Sequence, residues 1–310
     1  MLHVLVLGSA AGGGLPQWNC NCDLCRRARD KNDTAVTPRT QSSLAISKGN
    51  GEWFLLNASP DLRKQINDNP ELQSSSGRRH SPITGVLLTN ADVDHIAGLL
   101  NLRESQPFVV YATSRVHSVL AANSVFNVLN PQFVERKEFS LGVPIELTDR
   151  RGNPIGITVD TFAVPGKVAL YLEDPNAKNF GSAPEDTVAL KVTDTSTGEY
   201  FCYVPGCASM PADLADRLRG APLVFFDGTV WVDDEMKSTG TGVKTGSRMG
   251  HMHLSGEDGT IAAFADLDVK RKIFVHINNT NPVLADDSRE RAFVEEAGWE
   301  IGFDGMRVTL

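Results

Sequence analysis

Long hydrophobic runs and an excess of positive charge are both missing from this chain of 310 residues. Lysine and arginine number 30 against 38 aspartates and glutamates, which gives a formal net charge of −8. A nucleic-acid partner is therefore not expected, because phosphate backbones are bound by clustered lysines and arginines. No apolar run reaches the length of a bilayer-spanning helix, so no membrane segment is predicted.

Cysteine is sparse, and a cleavable leader is not recognisable. The five cysteines are odd in number and three of them lie between Cys20 and Cys25, which is not the pattern of a disulfide framework. Residues 1–8 have no basic region and no cleavage signature after them, so they predict a β-strand and not a signal peptide. We therefore expect a protein of the reducing cytoplasm.

A nucleotide-binding loop is missing as well. Glycines follow the first predicted strand at positions 8, 12, 13 and 14, but their spacing is not that of a dinucleotide-binding fingerprint and no helical pattern follows. No Gly-Lys-Ser/Thr sequence closes a phosphate loop. The glycine cluster therefore predicts a flexible turn.

The chain does contain a regular succession of strand-like and helix-like segments. Stretches rich in β-branched and aromatic residues predict strands at 4–7, 43–47, 53–56, 86–88, 108–111, 157–162, 168–172, 188–192, 200–204, 223–226, 273–277 and 299–303. Helices are predicted at 59–67, 96–104, 114–123, 211–218, 256–264 and 288–297. No linker-like tract divides the chain, so we predict one α/β domain over residues 1–310, with mixed sheets covered by helices. The polar segment 174–186 predicts a long loop that covers a site.

The first candidate metal site is formed by Cys20, Cys22 and Cys25. Three thiolates within six residues can converge on one Zn²⁺ if the chain turns tightly. The polar residues between them argue against three unrelated buried thiols. A closed thiolate site is structural, and its fourth ligand must come from elsewhere in the chain. Cys202 and Cys207 are predicted to be small packed residues.

The second candidate site is the loop at residues 90–95, where an apolar strand runs into a predicted helix. Strand alternation would place Asn90, Asp92 and Asp94 on one side, with His95 next to them. Buried carboxylates beside an imidazole must be neutralised, and a divalent cation does this directly. An ordinary helix cap would account for Asp94 but not for Asp92 or His95. The loop therefore predicts a metal site.

Further histidines occur at strand ends and helix starts, where active-site residues are often found. His251 and His253 precede a predicted helix, and His276 lies at the end of a predicted strand. A lone histidine is more often a packed or surface residue than a ligand. Three others lack such a setting and are set aside: His3, His80 and His117.

These motifs resemble those of the metallo-β-lactamase superfamily, whose fold is a four-layer αββα sandwich of two mixed β-sheets flanked by helices. The strand–loop–helix element of that superfamily usually has the pattern His-x-His-x-Asp-His. Asn90 and Asp92 stand at the positions of its first two histidines, and Asp94 and His95 match its ending. His276 matches the histidine that ends a late strand.

The phosphodiesterase-like branch of the superfamily provides further matches. His251 resembles the histidine of its Gly-His-x-Ser/Thr motif, with His253 in the Ser/Thr position, and the cysteine cluster resembles its structural zinc site. In that branch a histidine three positions beyond the late one closes the zinc site, and here this position holds Asn279, the possible fourth ligand. Two residues that the superfamily usually has are not found in this chain. Residues 203–207 occupy the region of the aspartate that usually follows the central strand of the second half, and residues 164–167 occupy the region of the usual mid-chain histidine.

More narrowly, the whole chain resembles a family of pyrroloquinoline quinone (PQQ) biosynthesis proteins. The matching segments are residues 8–14, 16–22, 89–95, 226–229, 249–253 and 276–282. The resemblance implies a role in PQQ biosynthesis, a small peptide-derived PQQ precursor as ligand, and other proteins of the pathway as possible partners.

The departures from the superfamily pattern imply a change of chemistry. Two imidazoles and one or two carboxylates around a single ion, with open positions, suit non-haem Fe²⁺ and O₂ chemistry better than zinc hydrolysis. The expected reaction is hydroxylation of the tyrosine ring of a Glu–Tyr-derived precursor. Asp92, His95 and His276 would hold Fe²⁺, and Asp94 would be a ligand or would orient His95.

In this hypothesis His251 and His253 are catalytic and exchange protons with the phenol and the bound oxygen. Two alternatives stay open. One is a zinc hydrolase of the same pathway, which the lost histidines disfavour. The other is a non-catalytic carrier that aids transport of PQQ or its precursor to the periplasm.

Overall fold

The computed structural model describes all 310 residues, Met1–Leu310. The strands, in chain order, are β1 His3–Gly8, β2 Ser43–Ser47, β3 Trp53–Leu56, β4 Ile83–Leu87, β5 Phe108–Ala112, β6 Val134–Glu138, β7 Ile145–Thr148, β8 Pro154–Ala163, β9 Val188–Asp194, β10 Tyr200–Val204, β11 Val224–Asp227, β12 Lys272–Val275, β13 Trp299–Ile301 and β14 Arg307–Thr309. The α-helices are α1 Asp23–Arg29, α2 Leu62–Asp68, α3 Val93–Ile96, α4 Ser114–Ala122, α5 Ala212–Leu218, α6 Glu235–Ser238, α7 Gly246–Met249, α8 Thr260–Ala263 and α9 Arg289–Glu296. None of the helices is both long and apolar enough to cross a bilayer.

The strands form two seven-stranded mixed sheets. The first has the order β14-β1-β2-β3-β4-β5-β6 and the second the order β13-β12-β11-β10-β9-β8-β7. In the first sheet β3, β4, β5 and β6 are parallel neighbours, whereas β14, β1, β2 and β3 pair antiparallel. In the second sheet β10 to β13 are parallel and β7 to β10 antiparallel. The predicted α/β class with two mixed sheets is confirmed.

Side-chain alternation along the strands creates the layers. In β1, Val4 and Val6 enter the central core, while Leu5 and Leu7 enter the core beneath α2 and α4. The central core holds 25 buried residues from both sheets, which therefore pack face to face. Apolar side chains of α1, α5 and α9 cover the outer face of the second sheet. Strands buried on both faces need nearly continuous apolar sequences, and this explains why these strands were predictable.

The predicted strand at 168–172 is wrong. These residues lie in the long connection between β8 and β9, where Leu170–Leu172 forms a 3₁₀ turn. The apolar side chains of Leu170, Tyr171 and Leu172 are exposed. Strand β8 already pairs with β7 and β9 on its two sides, so the segment cannot pair with the strand that it follows.

The fold brings several strand ends to one edge of the sandwich. Strand β4 of the first sheet and strands β11 and β12 of the second each end in a loop that carries candidate functional residues. An isolated bridge joins Ala10 to Ile277, and another joins Asn90 to Thr187, so these loops are tied together across the two sheets. The carboxyl ends of parallel strands are where α/β folds usually build their sites.

Candidate metal centre and active-site cavity

Three side chains from the ends of β4 and β12 converge at this edge. Ligand atoms of Asp94, His95 and His276 all lie within 4.8 Å of one another. The Oδ2 atom of Asp94 is 3.1 Å from Nε2 of His276 and 4.0 Å from Nε2 of His95. Both imidazoles are buried. The structure thus assembles three of the four residues that the sequence singled out as active-site metal ligands.

Asn90 orients this group. Its Oδ1 atom accepts a hydrogen bond from the backbone N–H of Asp92 at 3.0 Å and another from Nδ1 of His95 at 2.8 Å. Because Nδ1 of His95 carries the proton of that bond, Nε2 has its lone pair free on the side of Asp94. The residue that stands in place of the first superfamily histidine therefore positions His95, a candidate ligand.

The convergent residues fit a divalent metal ion. The Nε2 atom of His95 is buried and has no hydrogen-bond partner, an arrangement that costs about 1–3 kcal/mol unless a metal ion takes the lone pair. Burial lowers the pKa of His95 to about 4, which keeps its imidazole neutral, as ligation requires. Burial alone would raise the pKa of Asp94, but the neighbouring histidines hold it below its usual range.

Asp92 lies in the same cavity but not in the three-residue group. Helix α3 begins at Val93, so the strand alternation that would align Asp92 with Asp94 ends between them. Burial and the charge of Asp94 raise the pKa of Asp92, and Lys167 opposes this shift. The structure therefore favours Asp94 over Asp92 as the carboxylate ligand.

A second group of side chains surrounds the hydroxyl of Thr229. This hydroxyl lies 2.6 Å from Oδ1 of Asp227, 2.9 Å from Nδ1 of His276 and 3.1 Å from Nδ1 of His251. Nδ1 of His251 lies 2.6 Å from Oδ2 of Asp227. Burial alone would raise the pKa of Asp227, but its interactions with His251 and His276 lower it. Asp227 is thus an ionised, buried partner of a cavity histidine.

Sequence reasoning missed the role of Asp227. The aspartate of the second half was expected at residues 203–207, where the sequence has none. In the structure, the backbone N–H of Cys207 in this region donates a hydrogen bond to Oδ2 of Asp227 at 2.9 Å. The signal was present, because Asp227 ends the fully buried strand β11. A carboxylate at the end of an apolar strand was the same signal that identified the loop at residues 90–95.

The structure does not bring His253 to the site. Its Nε2 atom lies 3.1 Å from Oδ1 of the exposed Asp258, and the residue does not line the cavity. His253 bridges to Val230 in the backbone and precedes α8. His253 is therefore not placed for the proton transfer that was expected of it, whereas His251 lines the cavity.

The cavity over these residues has a volume of about 480 Å³. Its polar walls include Asp92, Asp94, His251 and His276. Residues outside the predicted ligands also contribute: Lys167, Leu170, Met236, Val243, Lys244 and Met249. The segment 174–186 was expected to cover a site, but within this connection only Lys167 and Leu170, which precede that segment, line the cavity.

The cysteine cluster forms a separate candidate metal site. The sulfur atoms of Cys20, Cys22 and Cys25 lie within 4.8 Å of one another. The side-chain amide of Asn279 covers them, with Nδ2 3.3 Å from Sγ of both Cys20 and Cys25. Burial raises the pKa of Cys22 to about 12, so its thiolate requires a cation such as Zn²⁺. Cys202 and Cys207 lie elsewhere in the core under the second sheet.

Comparisons with known proteins agree with this architecture. The sequence matches the β-lactamase superfamily domain over residues 52–277. It is 52% identical to coenzyme PQQ synthesis protein B of Rhodopseudomonas palustris (strain TIE-1) and 49% identical to that of Methylorubrum extorquens (strain PA1), with 100% of both chains covered in each case.

Solved structures show the same relationship. The crystal structure of Zn²⁺-bound PqqB from Methylobacterium extorquens superposes with a TM-score of 0.93 at 50% identity, over 99% of this chain and 100% of that one. A diphosphatase of the PhnP family shares the fold alone, with a TM-score of 0.69 at 20% identity over 99% of this chain and 96% of that one. The chain therefore belongs to the β-lactamase superfamily and, within it, to the family of coenzyme PQQ synthesis protein B.

Proposed function

We propose that this protein hydroxylates the tyrosine ring of a Glu–Tyr-derived PQQ precursor, with Fe²⁺ held by Asp94, His95 and His276. The observation that carries the proposal is the convergence of two imidazoles and one carboxylate around the unpartnered Nε2 atom of His95. This is the donor set of non-haem Fe(II) oxygenases, and the bound iron would supply the activation of O₂. The membership in a PQQ synthesis family supports the choice of precursor.

The protein's own contribution to the reaction centres on His251. Its Nδ1 atom is engaged by Asp227, so Nε2 is left to exchange a proton with a phenol in the cavity. A phenol is more reactive toward electrophilic oxygen once its proton has moved to a base, and a positioned base contributes about 10²–10⁴-fold to such steps. Thr229 links the two histidines and fixes their ring orientations.

The hydroxylation consumes one molecule of O₂ for each ring. One oxygen atom replaces a ring hydrogen as a hydroxyl group, and the other atom leaves as water. Two electrons and two protons are required, and an external reductant such as ascorbate provides the electrons in the assay. The Asp227–His251 pair holds a proton within the cavity while the ring is oxidised.

The cysteine cluster has a different role in this proposal. Cys20, Cys22 and Cys25 would hold a structural Zn²⁺, with the side-chain oxygen of Asn279 as the fourth ligand once the amide is turned, because the amide nitrogen that faces the sulfurs has no lone pair to give. Thiolate ligands have to stay reduced, which supports a location in the cytoplasm, with other proteins of the PQQ pathway as partners. All five cysteines are free in the structure.

The decisive test uses ¹⁸O₂. Anaerobically iron-loaded protein, a Glu–Tyr-derived peptide or amino-acid substrate and ascorbate are mixed with ¹⁸O₂, and the product is analysed by mass spectrometry after one turnover. We expect one ¹⁸O atom in the ring, no incorporation with Asp94→Asn, and normal incorporation with His253→Ala. An unlabelled ring at full iron occupancy would overturn the proposal. Tight binding of PQQ without turnover would favour a carrier, and cleavage of a model ester only by the zinc form would favour a hydrolase.

A further inference from the structure

Two lysines line the cavity although the chain as a whole is acidic. Lys167 comes from the connection between β8 and β9, and Lys244 from the segment between α6 and α7. Both are half-buried, and neither has a part in the metal group or in the Asp227–His251 pair. Because the chain has a net charge of −8, two cations at this one cavity do not follow from its overall composition.

The structure holds Lys167 firmly in place. A Cβ atom added to Gly250 would lie only 3.2 Å from Cγ of Lys167, so the lysine stem packs directly against this glycine. Gly250 has φ +93° where it ends α7, a conformation that favours glycine. Nζ of Lys167 is 3.1 Å from Oε1 of Glu173, and the side chain is only 14% exposed. Its ammonium group is therefore fixed at the cavity wall.

Glu173 does not neutralise the cations around it. Arg248 binds its two oxygens at 3.1 and 2.6 Å, and Lys167 and Lys244 also act on it. The hydrogen bonds from Arg248 and Lys167, together with the charge of Lys244, hold the pKa of Glu173 at about 2, so its charge is −1 throughout the working range. Three cations thus share one carboxylate, which leaves a surplus of two positive charges.

Other charges near this wall do not remove the surplus. Asp92 also lines the cavity and Lys167 acts on it, but one positive charge remains in surplus even with Asp92 ionised. Asp94 itself faces the histidines of the metal group. Beside the lysines, Leu170 and Val243 present apolar side chains that are 57% and 86% exposed. The wall thus combines unmatched positive charge with an apolar surface, the pattern that an aromatic carboxylate would complement.

We propose that Lys167 and Lys244 bind carboxylate groups of the substrate and restrict the cavity to aromatic compounds that carry at least two of them. The inference rests on the proposed function, because a Glu–Tyr-derived precursor is an aromatic compound of this kind. Each ammonium group makes charge-assisted hydrogen bonds to one carboxylate, while the ring lies against Leu170 and Val243. The two lysines are specificity-determining residues, separate from the residues that hold metal or move protons.

The test measures binding of PQQ, an aromatic tricarboxylate, and of its uncharged trimethyl ester to full-length zinc-loaded protein by calorimetric titration. Lys167→Met and Lys244→Met are compared with Lys178→Met and Lys237→Met, which change exposed lysines outside the cavity, one in the connection between β8 and β9 and one in α6. We expect each cavity variant to weaken PQQ binding about tenfold, as loss of a hydrogen bond to a charged group does. The controls should bind PQQ normally, and the ester should bind weakly to every variant.

Two further measurements distinguish carboxylate binding by the lysines from metal ligation and from misfolding. PQQ can also ligate a metal, so the titrations are repeated with the Asp94→Asn protein, in which the lysine effect should persist. Lys167→Arg should retain binding, and thermal melting shows that each variant is folded. Equal PQQ affinity in wild type and the double lysine variant, or equal affinity for PQQ and its ester, would overturn the inference.

Binding by the lysines can be tested independently of hydroxylation. Binding is measured without O₂ turnover, so lysine-dependent binding without ¹⁸O incorporation would reject the proposed function alone. Normal ring hydroxylation by the double lysine variant, with unchanged substrate KM, would reject the lysine assignment alone.

Discussion

The Asp94 carboxylate lies 3.1 Å from Nε2 of His276, although 182 residues separate the two along the chain. Asp94 follows β4 of the first sheet, and His276 follows β12 of the second. The candidate metal centre therefore lies where the two sheets meet at one edge. It depends on the packing of one sheet against the other as much as on either loop.

The first prediction distinguishes the two carboxylates of the loop. Asp94→Asn should weaken binding of the active-site metal, because it neutralises the only carboxylate of the three-residue group. The loss should be at least about 10–100-fold, which is the range for loss of a residue that only orients a metal ligand. Asp92→Asn is the matched control and should retain the metal. Metal content after dialysis against a chelator series measures both. Equal metal loss in the two variants would contradict the ligand assignment.

The second prediction concerns proton transfer. Asp227→Asn should lower the rate of hydroxylation by about 10²–10⁴-fold, because His251 loses its ionised partner and its proton-exchanging atom is no longer defined. Iron content should stay near that of the wild type. Asp258→Asn, which changes the partner of His253, should leave the rate unchanged. A similar loss in both variants would restore a role for His253.

The third prediction concerns Asn279, whose amide covers the three cysteine sulfurs. Asn279→Ala should weaken zinc binding at the cysteine site by about 10–100-fold. Asn279→His should bind zinc at least as tightly as the wild type, because imidazole is the better zinc ligand. Competition with a coloured chelator gives the affinities, and Cys202→Ala serves as the control. Unchanged zinc affinity in Asn279→Ala would exclude this residue as the fourth ligand.

The fourth prediction is a pH dependence of stability that arises from Glu235. Burial raises the pKa of this carboxyl from 4.5 to about 7 despite hydrogen bonds from Thr280 and the backbone of Trp231. The folded protein therefore binds the proton more tightly than the unfolded chain does. This contribution to the free energy of unfolding is complete below pH 4.5 and is lost as the pH rises through about 7.

Glu235→Gln mimics the protonated side chain and should remove this dependence. Relative to the variant, the wild type should lose up to about 3 kcal/mol of unfolding free energy between about pH 4 and pH 8. Denaturant titrations across this range provide the measurement, with the exposed Glu257→Gln as the control. Parallel pH profiles of wild type and Glu235→Gln would show that Glu235 titrates normally in the folded protein.

The fifth prediction tests the single-domain organisation over residues 1–310. The central core mixes side chains of both sheets, for example Leu44 and Leu87 with Phe225 and Val275. Since neither sheet can keep that core without the other, metal-loaded protein should unfold in one cooperative transition. Tryptophan fluorescence and far-ultraviolet circular dichroism should give the same midpoint. Two separated transitions would indicate two domains.

Much of the strand content was predictable because its cause is local. Strands such as β2, β3 and β10 have apolar, β-branched or aromatic sequences bounded by polar turns, and their predicted bounds agree with the structure. The edge strands β6, β7 and β14 were not predicted in this way. Strand β6 has the sequence Val-Glu-Arg-Lys-Glu and becomes a strand only because β5 offers it a hydrogen-bonding edge.

By itself, the sequence determined which short segments carry ligands. The spacing of Cys20, Cys22 and Cys25, and the polar loop that ends in His95, are local features that depend on a few backbone angles. The resemblance of these motifs to known families then indicated the sandwich fold and the biosynthetic role.

Only the tertiary structure decided how distant residues combine. It joined Asp94 with His276, paired Asp227 with His251, placed Asn279 over the cysteines, and left His253 outside the cavity. The physical reason is that sequence patterns report local backbone geometry and burial. Contacts between residues on different strands depend instead on strand order, on the point at which each strand ends, and on how the two sheets pack.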